Sequence, residues 1–208
     1  MVDKITEFLT NKIRKEMPEI DDERAEVINY GLQILVGEVP KTFIMLAVAY
    51  LLGVFKLTLI TFLIIVPLRT FSGGFHLKTH LGCIITTCAF YSGTAMLSKY
   101  IVLSGLSKYI ITCAVGIFGI IMIRLYAPAD TENVPILSKK VRKQKQVLSY
   151  ITFIVGLVIA LIIRNNIISN IIIFGYLIQT CMITKLAYRL TNNKYGYEVY
   201  ENTSEQMS

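Results

Sequence analysis

Hydrophobic and polar positions divide the chain into long apolar blocks that are separated by short polar breaks. Most blocks approach the roughly 20 helical residues that a bilayer core requires, and they lack the alternation expected of spanning strands. The pattern therefore predicts an all-α, polytopic integral membrane protein with about six transmembrane helices. The six blocks cover about residues 31–54, 57–68, 81–98, 109–126, 147–163 and 167–187.

Two of these blocks depart from a simple span. The block at 57–68 is short even when it is extended back to Val54, which indicates local thinning, tilt or a break. The first block contains Glu38, Pro40 and Lys41. Ionisable groups inside a span usually face the bundle interior or water, but Glu38 and Lys41 could simply pair, because they stand three residues apart.

An amphipathic helix precedes the first block. Apolar residues recur at helical spacing between Ile5 and Met17, with basic residues among them. Such a helix suits an anionic membrane face, and it equally suits packing on the protein's own cytoplasmic surface. Pro18 is expected to end or bend it.

The same pattern gives the domain organisation. We expect one membrane-embedded domain over residues 1–208, and no signal peptide, since residues 1–17 mix charge and apolar positions too evenly. Its parts are entry helices at 1–30, the transmembrane bundle at 31–187, and a polar cytoplasmic tail at 188–208 that frays as free termini do.

Composition and charge agree with a membrane protein. The chain is 54% hydrophobic and 17% charged, with a formal charge of +7. In a soluble protein that charge would suggest nucleic acid, but no aromatic and basic platform for stacking bases is visible. With the N-terminus inside, 16 of the 21 Lys and Arg residues fall on cytoplasmic segments. We therefore expect both termini, and the stretch 69–83, at the cytoplasmic face of the membrane.

The cysteines do not indicate a structural framework. Four of them lie far apart and form no CxxC pair, which argues against disulfides or a metal site. Cys88, Cys113 and Cys181 fall in apolar blocks, where we expect them to pack as small apolar side chains. No metal and no other cofactor is expected.

The polar stretch at 69–83 holds both histidines, a glycine pair and Cys83. A thiolate is a strong nucleophile, and an imidazole can take its proton. Spacing favours His80, which is three residues before Cys83, whereas His76 would lie about 10 Å away along a straight helix. His76 can approach only if the backbone unwinds, which the glycine pair permits. Spacing alone leaves the choice open, and an inert cysteine beside interfacial histidines also fits.

Three segments carry a resemblance to a known family. The first is Arg69-x-x-x-Gly73-Gly74-x-His76 with Cys83 seven residues further on, and the second is Tyr126-Ala127-Pro128-Ala129-Asp130-Thr131 with Pro135-Ile136 and the basic run after it. A weaker third segment is Gly31-Leu32-Gln33-Ile34-Leu35. Together they resemble the AgrB family, membrane cysteine endopeptidases of Gram-positive quorum-sensing systems, over nearly the whole chain.

The resemblance implies a Cys-His dyad in which Cys83 is the nucleophile and His76, rather than His80, is the base. Cys83 would cleave an AgrD-like propeptide, release its acidic tail, and hold the rest as a thioester until a thiol or hydroxyl of the peptide closes a thiolactone or lactone ring. Backbone N–H groups near Gly82 and Cys83 are the expected oxyanion donors. Supporting or substrate-binding roles would fall to Arg69, Gly73, Gly74, Gln33, Glu38, Lys139, Lys140, Arg142 and Lys143.

Other interpretations remain open from the sequence. The basic residues at 139–145 could attract the acidic tail of a peptide or serve only as a topology signal. A transporter of a small peptide or ion would use Glu38, Lys41 and Arg69 along a path, although no inverted repeat is visible. A homodimer is plausible from the resemblance, and Gly116-x-x-Gly119 gives weak support for close helix contact.

Overall fold

The computed structural model describes residues 2–17, 19–77, 79–101, 103, 105–132, 135–136 and 138–199. These residues form helices and no strand, apart from one isolated parallel bridge between Gly73 and Ala129. The all-α prediction is therefore confirmed. The helices are α1 (Val2–Glu16), α2 (Asp22–Leu51), α3 (Phe55–Ser72), α4 (His80–Tyr100), α5 (Gly105–Tyr126), α6 (Lys139–Ile162), α7 (Asn166–Met182) and α8 (Lys185–Leu190).

Four helices in the described part of the chain, α3 to α6, are long and apolar enough to cross a membrane. α7 is apolar but has only 17 residues. α2 has 30 residues and would measure about 45 Å at 1.5 Å per residue. This length exceeds that of a hydrocarbon core, which is about 30 Å. The membrane character is thus confirmed, while the count of six spans stays a prediction.

The second span is a full helix rather than a short or broken one. α3 has 18 residues and continues through Arg69 to Ser72. Of the three alternatives of thinning, tilt and a break, the break is wrong, because the helix continues past Arg69 to Ser72. Ser72 is buried, and Arg69 finds hydrogen-bond acceptors inside the protein. Polar residues at the end of this span are therefore accommodated without ending the helix.

The basic run at residues 139–145 is also helical. α6 begins at Lys139, and the side chain of the N-cap residue Ser138 accepts a hydrogen bond from the Val141 N–H. The apolar blocks of the sequence leave residues 127–146 between two spans, where we expected a polar loop. The residues at 139–145 instead form the first two turns of a helix that continues as a span.

α7 lies at the centre of the bundle and contacts α3, α4, α5 and α6. Its buried face includes Ile171, Ile173 and Tyr176, and the Tyr176 ring stacks on Phe153 of α6 at 5.6 Å between centroids. A Cβ atom added at Gly119 of α5 would collide with the same Phe153 ring. Gly119 therefore serves packing within one chain, and its suggested role in a homodimer has no support here.

The first two helices pack together. Thr6 and Thr10 of α1 are buried, and the Thr10 hydroxyl donates to Asn29 Oδ1 of α2 at 3.4 Å. Phe8 on another face of α1 is 67% exposed. α1 thus contacts its own protein through threonines and leaves a large apolar side chain uncovered, while its contact with a membrane stays a prediction.

The C-terminal segment through residue 199 is not frayed, contrary to expectation. Tyr188 and Tyr195 are buried and stacked, with 4.1 Å between ring centroids. The Tyr188 hydroxyl lies 3.0 Å from the carbonyl oxygens of both Ala129 and Asp130, and these two acceptors share its one proton. The segment is anchored because its tyrosines combine apolar burial with these polar contacts. Residues 200–208 of the expected tail lie outside the described residues.

Candidate active site

The glycine pair ends α3 and turns the chain toward α4. Gly73 has φ 74° and Gly74 has φ 142°, a region that side chains with a Cβ rarely adopt. The Gly74 N–H donates to Ala129 O at 2.9 Å, and the Ala129 N–H donates to Ser72 O at 2.8 Å. A Cβ at Gly73 would collide with the Ala129 carbonyl. Residues 73–77 therefore leave the helix as an irregular segment pinned to the segment after α5.

The side chains of Arg69 and Gln179 stabilise this turn through hydrogen bonds. The Arg69 guanidinium donates to Gln179 Oε1 at 3.2 Å and to Phe75 O at 3.4 Å. Gln179 is fully buried, and its amide donates to Gly73 O at 2.8 Å and to Ser72 Oγ at 2.9 Å. One amide of α7 thus connects the arginine to the turn. Sequence reasoning missed Gln179, although a polar amide in an apolar block was a usable signal.

Cys83 lies in the first turn of α4, directly after the N-cap Thr79. The Thr79 side chain accepts from the Gly82 N–H at 3.2 Å, and its carbonyl accepts from the Cys83 N–H at 3.0 Å. These are the two N–H groups that the sequence suggested as oxyanion donors. Both of these N–H groups are engaged at the start of the helix, and the expected oxyanion donors in this region stay a prediction.

Glu38 and Lys41 of α2 form the ion pair that their spacing predicted, with 2.6 Å between Oε1 and Nζ. The Lys41 side chain is only 12% exposed, whereas that of Glu38 is 51% exposed. Lys41 also interacts electrostatically with Cys83. Because α2 packs against α4, it brings this charged pair towards the start of α4.

His76 lies in the irregular segment between α3 and α4, outside both helices. Its ring interacts electrostatically with Arg69, Glu38 and Lys41. The residue keeps exposed surface, yet surrounding protein removes enough water to lower the pKa of His76. The positive charges of Arg69 and Lys41 act in the same direction, and Glu38 opposes them. The neutral imidazole, which can accept a proton, is favoured.

His76 and Cys83 thus share the Glu38–Lys41 pair as a neighbour. The alternative histidine, His80, is the first residue of α4, and its side chain lies outside the described residues. The same holds for the side chain of Gln33 in α2. Their proposed roles stay predictions.

A buried carboxylate, named in the sequence analysis only as part of a motif, organises the segment after α5. Asp130 Oδ2 accepts from the Ile136 N–H at 2.9 Å and from the Tyr197 N–H at 3.1 Å, and it pairs with Arg142 Nη1 at 3.1 Å. The Asp130 side chain is fully buried. The Arg142 guanidinium also lies over the Tyr197 ring, 4.3 Å from its centroid. Arg142 is therefore bound into the protein.

The other three basic residues expected to meet a substrate, Lys139, Lys140 and Lys143, are exposed on the first turns of α6. Nearby, a cavity of about 220 Å³ opens beside the glycine turn, with Arg69, His76 and Lys145 among its lining residues. In the part of the chain that the structure describes, no three His, Cys, Asp or Glu side chains converge as metal ligands would.

The chain is similar in sequence to several known proteins. An AgrB-like protein of Listeria innocua is 29% identical over 190 residues, which are 91% of each chain. An AgrB-like protein of Clostridium acetobutylicum is 24% identical over 207 residues, 99% of this chain and 97% of the relative. The accessory gene regulator protein B of Staphylococcus epidermidis is 24% identical over 169 residues, 81% of this chain and 84% of the relative. No solved structure matches.

A family model completes the comparison. The model described as AgrB, accessory gene regulator B, matches residues 6–183. This range contains the glycine turn, Cys83, and the segment after α5 that holds Asp130. The chain therefore belongs to the AgrB family.

Proposed function

We propose that this protein is a membrane cysteine endopeptidase of an agr quorum-sensing system. Membership of the AgrB family supports the role in agr signalling and an association with the bacterial membrane. The proposed substrate is an AgrD-like propeptide. The proposed product is its signal segment, closed into a thiolactone or lactone ring.

The observation that carries the proposal is the neighbourhood of Cys83. A thiol at the start of α4 and an imidazole in the unwound segment before it both interact with the Glu38–Lys41 pair. His76 favours its neutral form, which suits a group that must first accept a proton. A nucleophile, a base and a cation thus come from three different segments.

In the proposed reaction, His76 takes the proton of the Cys83 thiol, and the sulfur attacks the carbonyl carbon at the end of the signal segment. The C–N bond then breaks, and His76 returns the proton to the departing amine of the tail. Cys83 keeps the signal segment as a thioester. A thiol or hydroxyl of the same peptide attacks that thioester and closes the ring, which releases the sulfur.

Arg69, Gly73, Gly74 and Gln179 would fix the segment that carries His76. Lys139, Lys140 and Lys143 would attract the acidic tail of the propeptide. Both molecules would lie on one membrane surface, which raises their effective concentration. We place the site at the cytoplasmic face, with both termini in the cytoplasm, on the distribution of basic residues.

The test is processing of a co-expressed AgrD-like propeptide, read as the released tail by mass spectrometry. We expect Cys83→Ala to abolish release and His76→Ala to lower it by about 10³-fold, within the range of a lost general base. His80→Ala, the matched control for a histidine in the same stretch, should process at close to the normal rate.

Two outcomes would contradict the proposal. Full processing by Cys83→Ala would show that the protein is not a cysteine peptidase. In that case, peptide or ion flux that survives the substitution would favour a transporter. Loss of processing with His80→Ala but not with His76→Ala would show that the other histidine is the base.

A further inference from the structure

Tyr188 of α8 has no role in the reaction described above, yet it contacts the segment that holds the glycine turn. Its side chain is almost completely buried, with 1% of the residue exposed. Its hydroxyl lies 3.0 Å from the carbonyl oxygens of Ala129 and Asp130. A buried tyrosine usually finds a hydrogen-bond partner, and here the partner is the backbone that pins the turn.

We propose that Tyr188 is a positioning residue of this site. It fixes the Ala129 carbonyl and, through this carbonyl, the glycine turn that leads to His76. The C-terminal segment at 185–199 is then part of the working site. This inference rests on the proposed peptidase function and adds to it a second support for the base.

The first argument is a shared acceptor. The Ala129 carbonyl oxygen accepts from the Gly74 N–H at 2.9 Å, and it lies 3.0 Å from the Tyr188 hydroxyl. A backbone carbonyl oxygen has two lone pairs, so it can accept from both groups at once. The hydroxyl therefore holds the acceptor of Gly74 in place, and Gly74 stands two residues before His76.

The second argument is a ring contact with the same segment. The Phe75 ring meets the Tyr188 ring edge to face, with 6.5 Å between centroids, which is a favourable arrangement for two aromatic rings. The Phe75 carbonyl accepts from the Arg69 guanidinium at 3.4 Å. The residue directly before His76 is thus held at its backbone by the arginine and at its side chain by the tyrosine.

The third argument is that Tyr188 is itself immobilised. Its ring stacks on Tyr195 at 4.1 Å between centroids, and the Tyr195 hydroxyl donates to Ile183 O at 2.8 Å. The Tyr197 N–H donates to Asp130 Oδ2 at 3.1 Å. Reacting groups must be held to within about 0.5 Å by residues that are fixed by packing and hydrogen bonds, and Tyr188 meets this condition.

The kinetic test removes one hydroxyl and keeps the ring. The full-length protein is reconstituted in lipid vesicles, and initial rates of tail release are measured against the concentration of the AgrD-like propeptide. Tyr188→Phe should lower kcat about 10-fold, since a full 1 Å displacement can cost about 100-fold, and should leave KM nearly unchanged. Tyr195→Phe is the matched control, because its hydroxyl binds Ile183 O and not the turn. It should keep a normal kcat.

Hydrogen exchange without substrate tests the support separately from the chemistry. The purified full-length proteins in detergent are transferred to deuterated buffer, and peptides that cover Gly74 are followed by mass spectrometry. The Gly74 N–H is bonded to Ala129 O, so local loosening should make it exchange several-fold faster in Tyr188→Phe. It should exchange normally in Tyr195→Phe. Thermal unfolding shows whether each variant is folded. If Tyr188→Phe is not, Phe75→Leu removes the ring contact instead and is held to the same expectations.

The outcomes distinguish the two proposals. A normal kcat in folded Tyr188→Phe would overturn the positioning role, whatever the exchange rate and even if Cys83→Ala is inactive. Equal losses of kcat in the two tyrosine variants would also overturn it, because they would reflect stability alone. Faster exchange in Tyr188→Phe together with full processing by Cys83→Ala would keep the support of the turn and overturn the peptidase function.

Discussion

At the scale of single residues, Gly73 makes two demands that only glycine meets. Its φ of 74° lies in the left-handed region, where other residues cost roughly 1–2 kcal/mol. The Ala129 backbone also occupies the space that a Cβ would need. The two costs can be separated, because Gly53 has a similar φ of 68° and nothing within 4 Å of its Cβ position.

We therefore expect Gly53→Ala to lower stability by about 1–2 kcal/mol and to leave processing nearly normal. Gly73→Ala should be less stable still and should lose about 100-fold in processing, since small displacements of reacting groups have effects of that size. Thermal unfolding in detergent and release of the peptide tail measure the two quantities. Equal behaviour of the two variants would show that contact with Ala129 does not position His76.

The residues of the site differ in how far the sequence could identify them. Cys83, His76 and the glycine pair lie within 11 positions of one another, so a local pattern was enough to select them. Gln179 joins Arg69 across 110 positions, and periodicity does not report such a contact. Its polarity inside an apolar block was visible, but its partner depends on how α7 packs against α3.

At the scale of elements, the segment after α5 is held by α6 and by the C-terminal segment. Asp130 is the common acceptor, and Arg142 is its charged partner at 3.1 Å. Breaking a buried pair by removing one partner typically costs about 3–5 kcal/mol, because the remaining charge stays buried. The neighbouring Lys143 is exposed and carries the same charge in the same helical turn.

This contrast gives a prediction for the basic helix start. Arg142→Gln should lower stability by about 3 kcal/mol and reduce processing because the glycine turn is pinned to Ala129. Lys143→Gln should leave stability unchanged and, if the exposed lysines attract the acidic tail, weaken substrate binding in a salt-dependent way. Unfolding in detergent and processing at two salt concentrations measure both effects. A stable Arg142→Gln variant with weaker substrate binding would instead place Arg142 among the substrate contacts.

Element boundaries were predictable where the apolar pattern ends at a turn, as at Asn165 before α7. The predicted boundaries were wrong where polar residues continue a helix. Arg69 and Ser72 looked like a loop but find acceptors or burial within the bundle. The C-terminal tyrosines looked like a frayed tail, because the carbonyls that Tyr188 binds, at Ala129 and Asp130, are remote in the sequence.

At the scale of the whole molecule, the connections gather at two ends of the bundle. The glycine turn, the segment after α5 and the C-terminal segment bond to one another at one end. At the other end, Lys108 Nζ donates to Ile163 O at 3.4 Å, and the Asn170 amide donates to Ile101 O at 2.6 Å. Successive helices therefore run back and forth between these two ends, as expected for a polytopic membrane bundle.

The ends also differ in charge, and this difference predicts the orientation. The end with the candidate site carries the basic run at 139–145, whereas the opposite turn at 163–166 carries Arg164 alone. Since basic segments remain in the cytoplasm, Lys140→Cys should be hidden in intact cells from a maleimide that cannot cross membranes, and Arg164→Cys should react. Both substitutions are at exposed positions and are made with the four native cysteines replaced by alanine. Permeabilised cells provide the control, because both positions should then react. Labelling of Lys140→Cys alone in intact cells would show that the orientation in the membrane is the reverse of the one proposed. A cytoplasmic propeptide could then not reach Cys83 at the face proposed here.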